Sequence, residues 1–188
     1  MSGPVLNRNV GGVCGVTPLS ISKDCWELAK KNRDRIPSRF LNLNVWREFI
    51  DVWGPWGHAH PCSMPTELVV ALNTALDLVL EEGLEERYQR HHKAATQMRQ
   101  GLESLGLPLF PDKDCLSDTL SVANVEPEWD GKLRTELFNR YNIMIAGGLD
   151  KLAGKILRIA HMGTSATNAS VSICLDSIAA VLRDVRTS

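Results

Sequence analysis

The feature that most constrains this chain is its last third, where the apolar pattern switches repeatedly between strand-like runs and helix-like spacing. Residues 120–125 read as a strand, 130–140 as a helix and 143–146 as a second strand. Residues 156–161 read as a third strand and 168–185 as a closing helix. In that last helix Val171, Leu175, Ile178, Leu182 and Val185 step by three or four positions, as one packed face requires. The order strand–helix–strand–strand–helix predicts a small α/β unit, one sheet with helices mostly on one side.

Upstream, residues 13–22 are apolar, β-branched and glycine-led, and predict a short strand. Ser22 stands where a helix N-cap belongs, before a helix over 23–32 that would turn Cys25, Trp26, Leu28 and Ala29 inward. Residues 35–44 read as loop, and 45–52 as one short helix. Two glycines and two prolines make 54–61 irregular. Pro65 suits the first turn of the next helix, with Ser63 near its cap. Residues 68–80 are almost continuously apolar, which predicts a helix buried on most sides. Gly83 interrupts it, and a second helix runs to about residue 105, ending at Gly106.

Composition narrows the function classes. The 188 residues are 44% apolar and 23% charged, with a formal net charge of −1, so no global field draws nucleic acid or an acidic membrane. The densest basic cluster, Lys30, Lys31, Arg33 and Arg35, reads as a solvated helix face. No apolar run approaches the roughly 20 residues of a membrane span. The first residues lack the apolar core of a signal peptide. The last three, Arg186-Thr187-Ser188, are not the peroxisomal tripeptide. Cysteines 14, 25, 62, 115 and 174 form no CxxC pair, so neither zinc nor a disulfide framework is indicated, and a reducing cytoplasm is the expected setting. His91-His92 reads as solvated helix surface without an acidic partner at ligand spacing.

The specific signal is a resemblance. Glu81-Glu82-Gly83-Leu84-Glu85-Glu86-Arg87 with Arg90-His91-His92 is one part of it. Ile145-Ala146-Gly147-Gly148-Leu149, Ala153-Gly154-Lys155-Ile156-Leu157-Arg158-Ile159 and Met162-Gly163 are the other. These strings resemble the C-terminal part of the class V aminotransferases, in particular the alanine–glyoxylate and serine–pyruvate enzymes. The resemblance runs from about residue 10 to residue 185. It implies the small domain of a fold-type I, pyridoxal-phosphate-dependent transferase, with an N-terminal strand–helix arm and a long interdomain helix. Residues 1–65 would then be the end of the large domain with connecting loops, and 66–188 the interdomain helix and small domain. It also implies an amino acid or 2-oxo acid as ligand, and a homodimer or a large-domain partner chain.

Site residues follow from the same resemblance. Arg158 would pair with the substrate's α-carboxylate, which suits a permanently charged, planar guanidinium; its bland alternative is a surface arginine at a strand end. His60 and Ser63 would reach the cofactor phosphate of a neighbouring subunit, or else be loop residues with Ser63 capping a helix. Lys155 falls beside the arginine strand and reads as a solvated lysine. The cofactor lysine should precede a Gly-Gly turn, but the sequence there is Asn7-Arg8-Asn9-Val10-Gly11-Gly12, and no lysine occurs before Lys23. Arg8 stands in the lysine's place. Arginine stays protonated and cannot attack an aldehyde or shuttle a proton. The sequence alone therefore predicts no covalent hold on pyridoxal phosphate and no activity of the isolated chain. Four readings remain: a truncated aminotransferase, one subunit of a split enzyme, a non-catalytic carboxylate- or partner-binding domain, and an unrelated α/β interaction domain.

Overall fold

The computed structural model describes residues 15–187, which fall into two compact units divided between Asn73 and Thr74. The first unit opens with helix α1 (Lys23–Lys31), where the Ser22 hydroxyl accepts from the Cys25 N–H at 3.3 Å as the sequence suggests. No residue of α1 is buried, and Leu28 is 61% exposed, so the inward face expected of Cys25, Trp26, Leu28 and Ala29 is not formed. The reason lies in what the unit offers for packing. Among its described residues no Ala, Val, Leu, Ile, Met, Phe or Trp is buried; the buried side chains include Asn42 and Asn44. Asn42 donates to the carbonyls of Arg33 (3.1 Å) and Ile36 (3.2 Å), and Asn44 donates to that of Ala29 (2.8 Å). Polar tethers, not an apolar core, hold this part together.

Helix α2 (Leu43–Glu48) continues as a π-helical turn over Phe49–Trp53 and a 3-10 turn over Gly54–Trp56. The short helix expected over 45–52 is thus real but begins earlier and changes pitch. Residues 15–22 belong to no strand, contrary to the strand expected over 13–22, of which 13 and 14 lie outside the described residues. A strand exists only within a ladder, and no ladder among the described residues includes them.

Helix α3 (Thr66–Glu82) starts directly after Pro65 and crosses the division between the units. Only Ala75 and Val79 on it are buried, while Val70, Leu78 and Leu80 are 59%, 60% and 71% exposed. The helix expected to be buried on most sides is therefore largely uncovered by this chain.

The second unit carries the core. Gly83, at φ 84°, separates α3 from α4 (Leu84–Ser104), and Gly106, at φ 75°, follows the helix end in the left-handed conformation glycine tolerates. Strands β1 (Leu120–Asn124), β2 (Ala146–Gly147) and β3 (Ile156–Ala160) form an antiparallel sheet in the order β1-β3-β2. Helix α5 (Pro127–Tyr141) lies between β1 and β2, and α6 (Asn168–Arg186) closes the unit. Ala94, Met98 and Leu102 of α4 pack with Leu133 and Leu137 of α5, Ile178 and Leu182 of α6, and Ala123, Leu157 and Ile159 of the sheet. Gly101 permits the close approach of α4 and α6, since a methyl group there would collide with the Leu175 side chain.

The strand expected over 143–146 begins only at Ala146. Asn142 caps α5 in the left-handed region at φ 54°, and the N–H of Ile143 returns to the Leu137 carbonyl at 3.2 Å. That closure uses residues the strand would otherwise take.

Candidate functional site

Strand alternation sets the orientation of Arg158. Leu157 and Ile159 belong to the core, so Arg158 between them faces away from it. It pairs in register with Val122 of β1 and Ala146 of β2. Its Nε donates to the Gly147 carbonyl at 2.8 Å. Its two terminal nitrogens make no hydrogen bond or ion pair among the described residues. A half-buried guanidinium with one edge anchored and its outer donors free is suited to a planar carboxylate.

Beside it stands an internal clamp. Asp130 of α5 is 5% exposed, and Arg134, one turn later, donates Nε to Oδ1 at 2.9 Å and an Nη to Oδ2 at 2.7 Å. The fork is bidentate, and the Asp130 hydrogen bond raises the Arg134 pKa above its ordinary value.

The other sequence-derived candidates divide between the two units, with Arg158 in the second. His60 and Ser63 are exposed residues of the first unit. The His60 Nδ1 lies 2.6 Å from the Cys62 carbonyl, which can only accept, so that nitrogen carries the proton. Ser63 does not cap α3; the first turn closes on the Pro65 carbonyl, which accepts from Leu68 and Val69. Lys155 is exposed, and Arg8 lies outside the described residues.

Sequence reading also missed contacts. His91 is buried at 6% exposure, not solvated, whereas His92 is exposed as expected, with its Nδ1 3.0 Å from Asp118, 26 residues away and outside any local ligand spacing. Glu82 receives Arg87 at 2.7 Å and also Arg90, which reaches the carbonyls of Gly163 and Ala166 at 2.9 Å each. The acidic and basic residues around Gly83 were visible, but partners more than 70 positions away carry no local signal. No group of three or more His, Cys, Asp or Glu side chains suited to a metal occurs among the described residues.

Pyridoxal phosphate, which the resemblance implies, needs a lysine for its aldehyde, an acid for its ring nitrogen and a cradle for its phosphate. The described residues do not make that set. A cleft bordered by Tyr88, His92, Lys93 and Asp118 holds a lysine and an acid, but Lys93 stands exposed at an open surface. What the described residues do supply is a half-buried arginine, Arg158, anchored through its Nε.

No protein-family profile matches the chain. It is 41% identical over 151 residues to an uncharacterized aminotransferase of Methanocaldococcus jannaschii, covering 79% of this chain and 38% of that protein. It is 29% identical over 171 residues to the soluble hydrogenase 42 kDa subunit of Anabaena cylindrica, covering 91% of this chain and 43% of that one. Its fold matches the crystal structure of an alanine–glyoxylate aminotransferase from Nostoc with a TM-score of 0.84 at 29% identity, over 94% of this chain and 46% of that one. The chain thus spans less than half the length of the relatives it matches. No helix among the described residues is long and apolar enough to cross a membrane. Over that shared length, in sequence and in fold, the chain is a homologue of class V aminotransferases.

Proposed function

We propose that this chain provides the carboxylate-recognising part of a pyridoxal-phosphate-dependent aminotransferase acting between an amino acid and a 2-oxo acid such as glyoxylate or pyruvate. The observation that carries the reading is the state of Arg158, with Nε anchored on Gly147 and both terminal nitrogens uncommitted among the described residues. A carboxylate received there would form two parallel charge-assisted bonds, which fix both its position and the plane of the acid. The names of the similar proteins support the substrate class: alanine and glyoxylate for the Nostoc structure, serine and glyoxylate for an Arabidopsis thaliana relative 32% identical over 148 residues.

Pyridoxal phosphate supplies an electron sink for the substrate's Cα when it is bound. This chain's part is to hold the acid. With Arg8 where the family lysine is expected, and a described set that does not fit the cofactor, the chain by itself does not bind it covalently and does not turn over. His60 and Ser63 then contribute, if the family arrangement holds, only as phosphate contacts in an assembly. Homodimeric assembly and a cytoplasmic setting belong to the same proposal.

The test is a titration with pyruvate followed by NMR, on the parent and Arg158→Lys. The substitution keeps the charge and loses the fork, a change of ~1.5–3 kcal/mol, or roughly ten- to a hundredfold in affinity. Equal affinity of the two proteins removes Arg158 from the site. Mixing the chain with pyridoxal phosphate, reducing with borohydride and mapping the label addresses the cofactor; a stoichiometric label on one lysine with turnover overturns the inactive reading.

A second reading is a split enzyme, in which another chain supplies the lysine. It is favoured by the relative named as a hydrogenase subunit, a name that describes one chain of an assembly.

A further inference from the structure

Arg158 presents a definite face because of what lies under its neighbour. The Gly147 carbonyl accepts the Arg158 Nε at 2.8 Å, and Gly147 itself sits directly against the Asp130–Arg134 fork. A methyl group on Gly147 would lie 3.1 Å from the Arg134 Nε, 3.2 Å from the Asp130 Oδ1 and 3.3 Å from the Arg134 Cζ. Flexible side chains usually yield at such distances. These cannot yield easily, because Asp130 is buried and both its oxygens are held by the one guanidinium. Gly147 does not occupy the left-handed region, so the glycine answers a need for space and not for backbone freedom. Its neighbour Gly148 is locked as well: a Cβ there would overlap the Leu152 carbonyl. The strand carrying the anchor carbonyl is thereby confined from two sides.

We propose that Gly147, seated on the Asp130–Arg134 ion pair, is the positioning element for Arg158, setting the direction in which its two free nitrogens point. The inference rests on the reading of Arg158 as the carboxylate receptor. It adds three residues that never touch the ligand: Asp130 and Arg134 act through Gly147, and Gly147 acts through the Arg158 Nε. The arrangement explains why Nε, and not a terminal nitrogen, bonds to protein. An arginine tethered by Nε keeps all four N–H groups of its outer nitrogens for a bidentate acceptor, whereas one tethered by a terminal nitrogen gives up one of them.

The test uses Gly147→Ala, with Arg134→Lys as a second variant that keeps the charge at the clamp and removes the fork. The readouts are the NMR signal of the Arg158 Nε–H, assigned by its loss in Arg158→Lys, and the pyruvate titration. Melting temperature and circular dichroism identify any variant that fails to fold, in which case the other variant decides. In folded Gly147→Ala the Nε–H should exchange with solvent at least about tenfold faster, and pyruvate affinity should fall by about tenfold. Arg134→Lys should move both in the same direction by less. An unchanged Nε–H signal with unchanged affinity in both variants overturns the proposal. If the parent binds pyruvate through Arg158 while both variants match it, the carboxylate reading stands and the positioning role fails. If the parent binds no pyruvate but the Nε–H protection collapses in the variants, the positioning role stands and the carboxylate reading fails.

Discussion

The Nε2 of His91 accepts the backbone N–H of Gly163 at 3.2 Å, joining α4 to the turn after β3 across 72 residues. Because that nitrogen must accept, the Nδ1 carries the proton and donates to the Arg87 carbonyl at 2.8 Å. One buried imidazole thus ties two backbone segments together in a single tautomer. Replacing it by leucine keeps the bulk but leaves the buried Gly163 N–H without its acceptor. His91→Leu should destabilise the chain by about 1–3 kcal/mol, read from the urea midpoint. A midpoint within error of the parent would show that water reaches Gly163 and satisfies it.

Glu82 makes the stability of the second unit depend on acid. Hydrogen bonds from Arg90 and then Arg87, with their charges, hold its carboxyl at about 2 against an ordinary value of 4.5, although burial opposes them. A lowered acid pKa means that the unfolded chain takes up protons first. The contribution is therefore complete above 4.5 and is lost as the pH falls from 4.5 towards 2. With the side chain 26% exposed, solvent screening leaves about 1–2 kcal/mol of it. Denaturation of the parent and Glu82→Gln at pH 6 and pH 2.5 checks this: the difference between them should be full at the first and shrink to about a quarter of that at the second.

His161 works in the same direction at a higher pH. It is 1% exposed, its Nε2 is bonded to the Ser121 hydroxyl at 2.8 Å, and its Nδ1 is buried without a partner among the described residues. Burial, helped by the charge of Arg99, lowers its pKa from the ordinary 6.5. For a base this means that the unfolded chain binds the proton first. Stability should be full above 6.5 and fall as the pH drops below it. His161→Gln should flatten that part of the stability–pH curve, while a slope equal to the parent's would assign it to another group.

The exposed side of α3 should drive association. Val70, Leu78 and Leu80 are each more than half exposed on one helix, and soluble monomers rarely leave large apolar patches uncovered. The chain should elute from size exclusion as a dimer or larger and bind a hydrophobic dye when dilute. Leu78→Glu with Leu80→Lys should shift it towards monomer. A monodisperse, dye-silent parent would show that α3 finds cover within its own chain.

What the sequence determined by itself was local. The spacing of Val171, Ile178, Leu182 and Val185 marked α6, all four buried on one face, because helical period and burial are set by the same few residues. The Ser22 cap, the Gly106 stop and the strands β1 and β3 were legible for the same reason. The strings around Gly147-Gly148 and Arg158 identified the family without any contact being known. The tertiary structure decided what depends on distant partners. It left α1 and much of α3 uncovered, because apolar spacing records a face that wants burial but not whether this chain supplies the cover. It buried His91 and gave His92 an acid, since Gly163 and Asp118 lie 72 and 26 positions away and no spacing rule reaches them. It also placed the Asp130–Arg134 fork under Gly147. The sequence shows a glycine there and an acid and a base one helical turn apart, but only the fold brings them into contact, because packing between a helix and a strand edge is a property of their meeting and not of either alone.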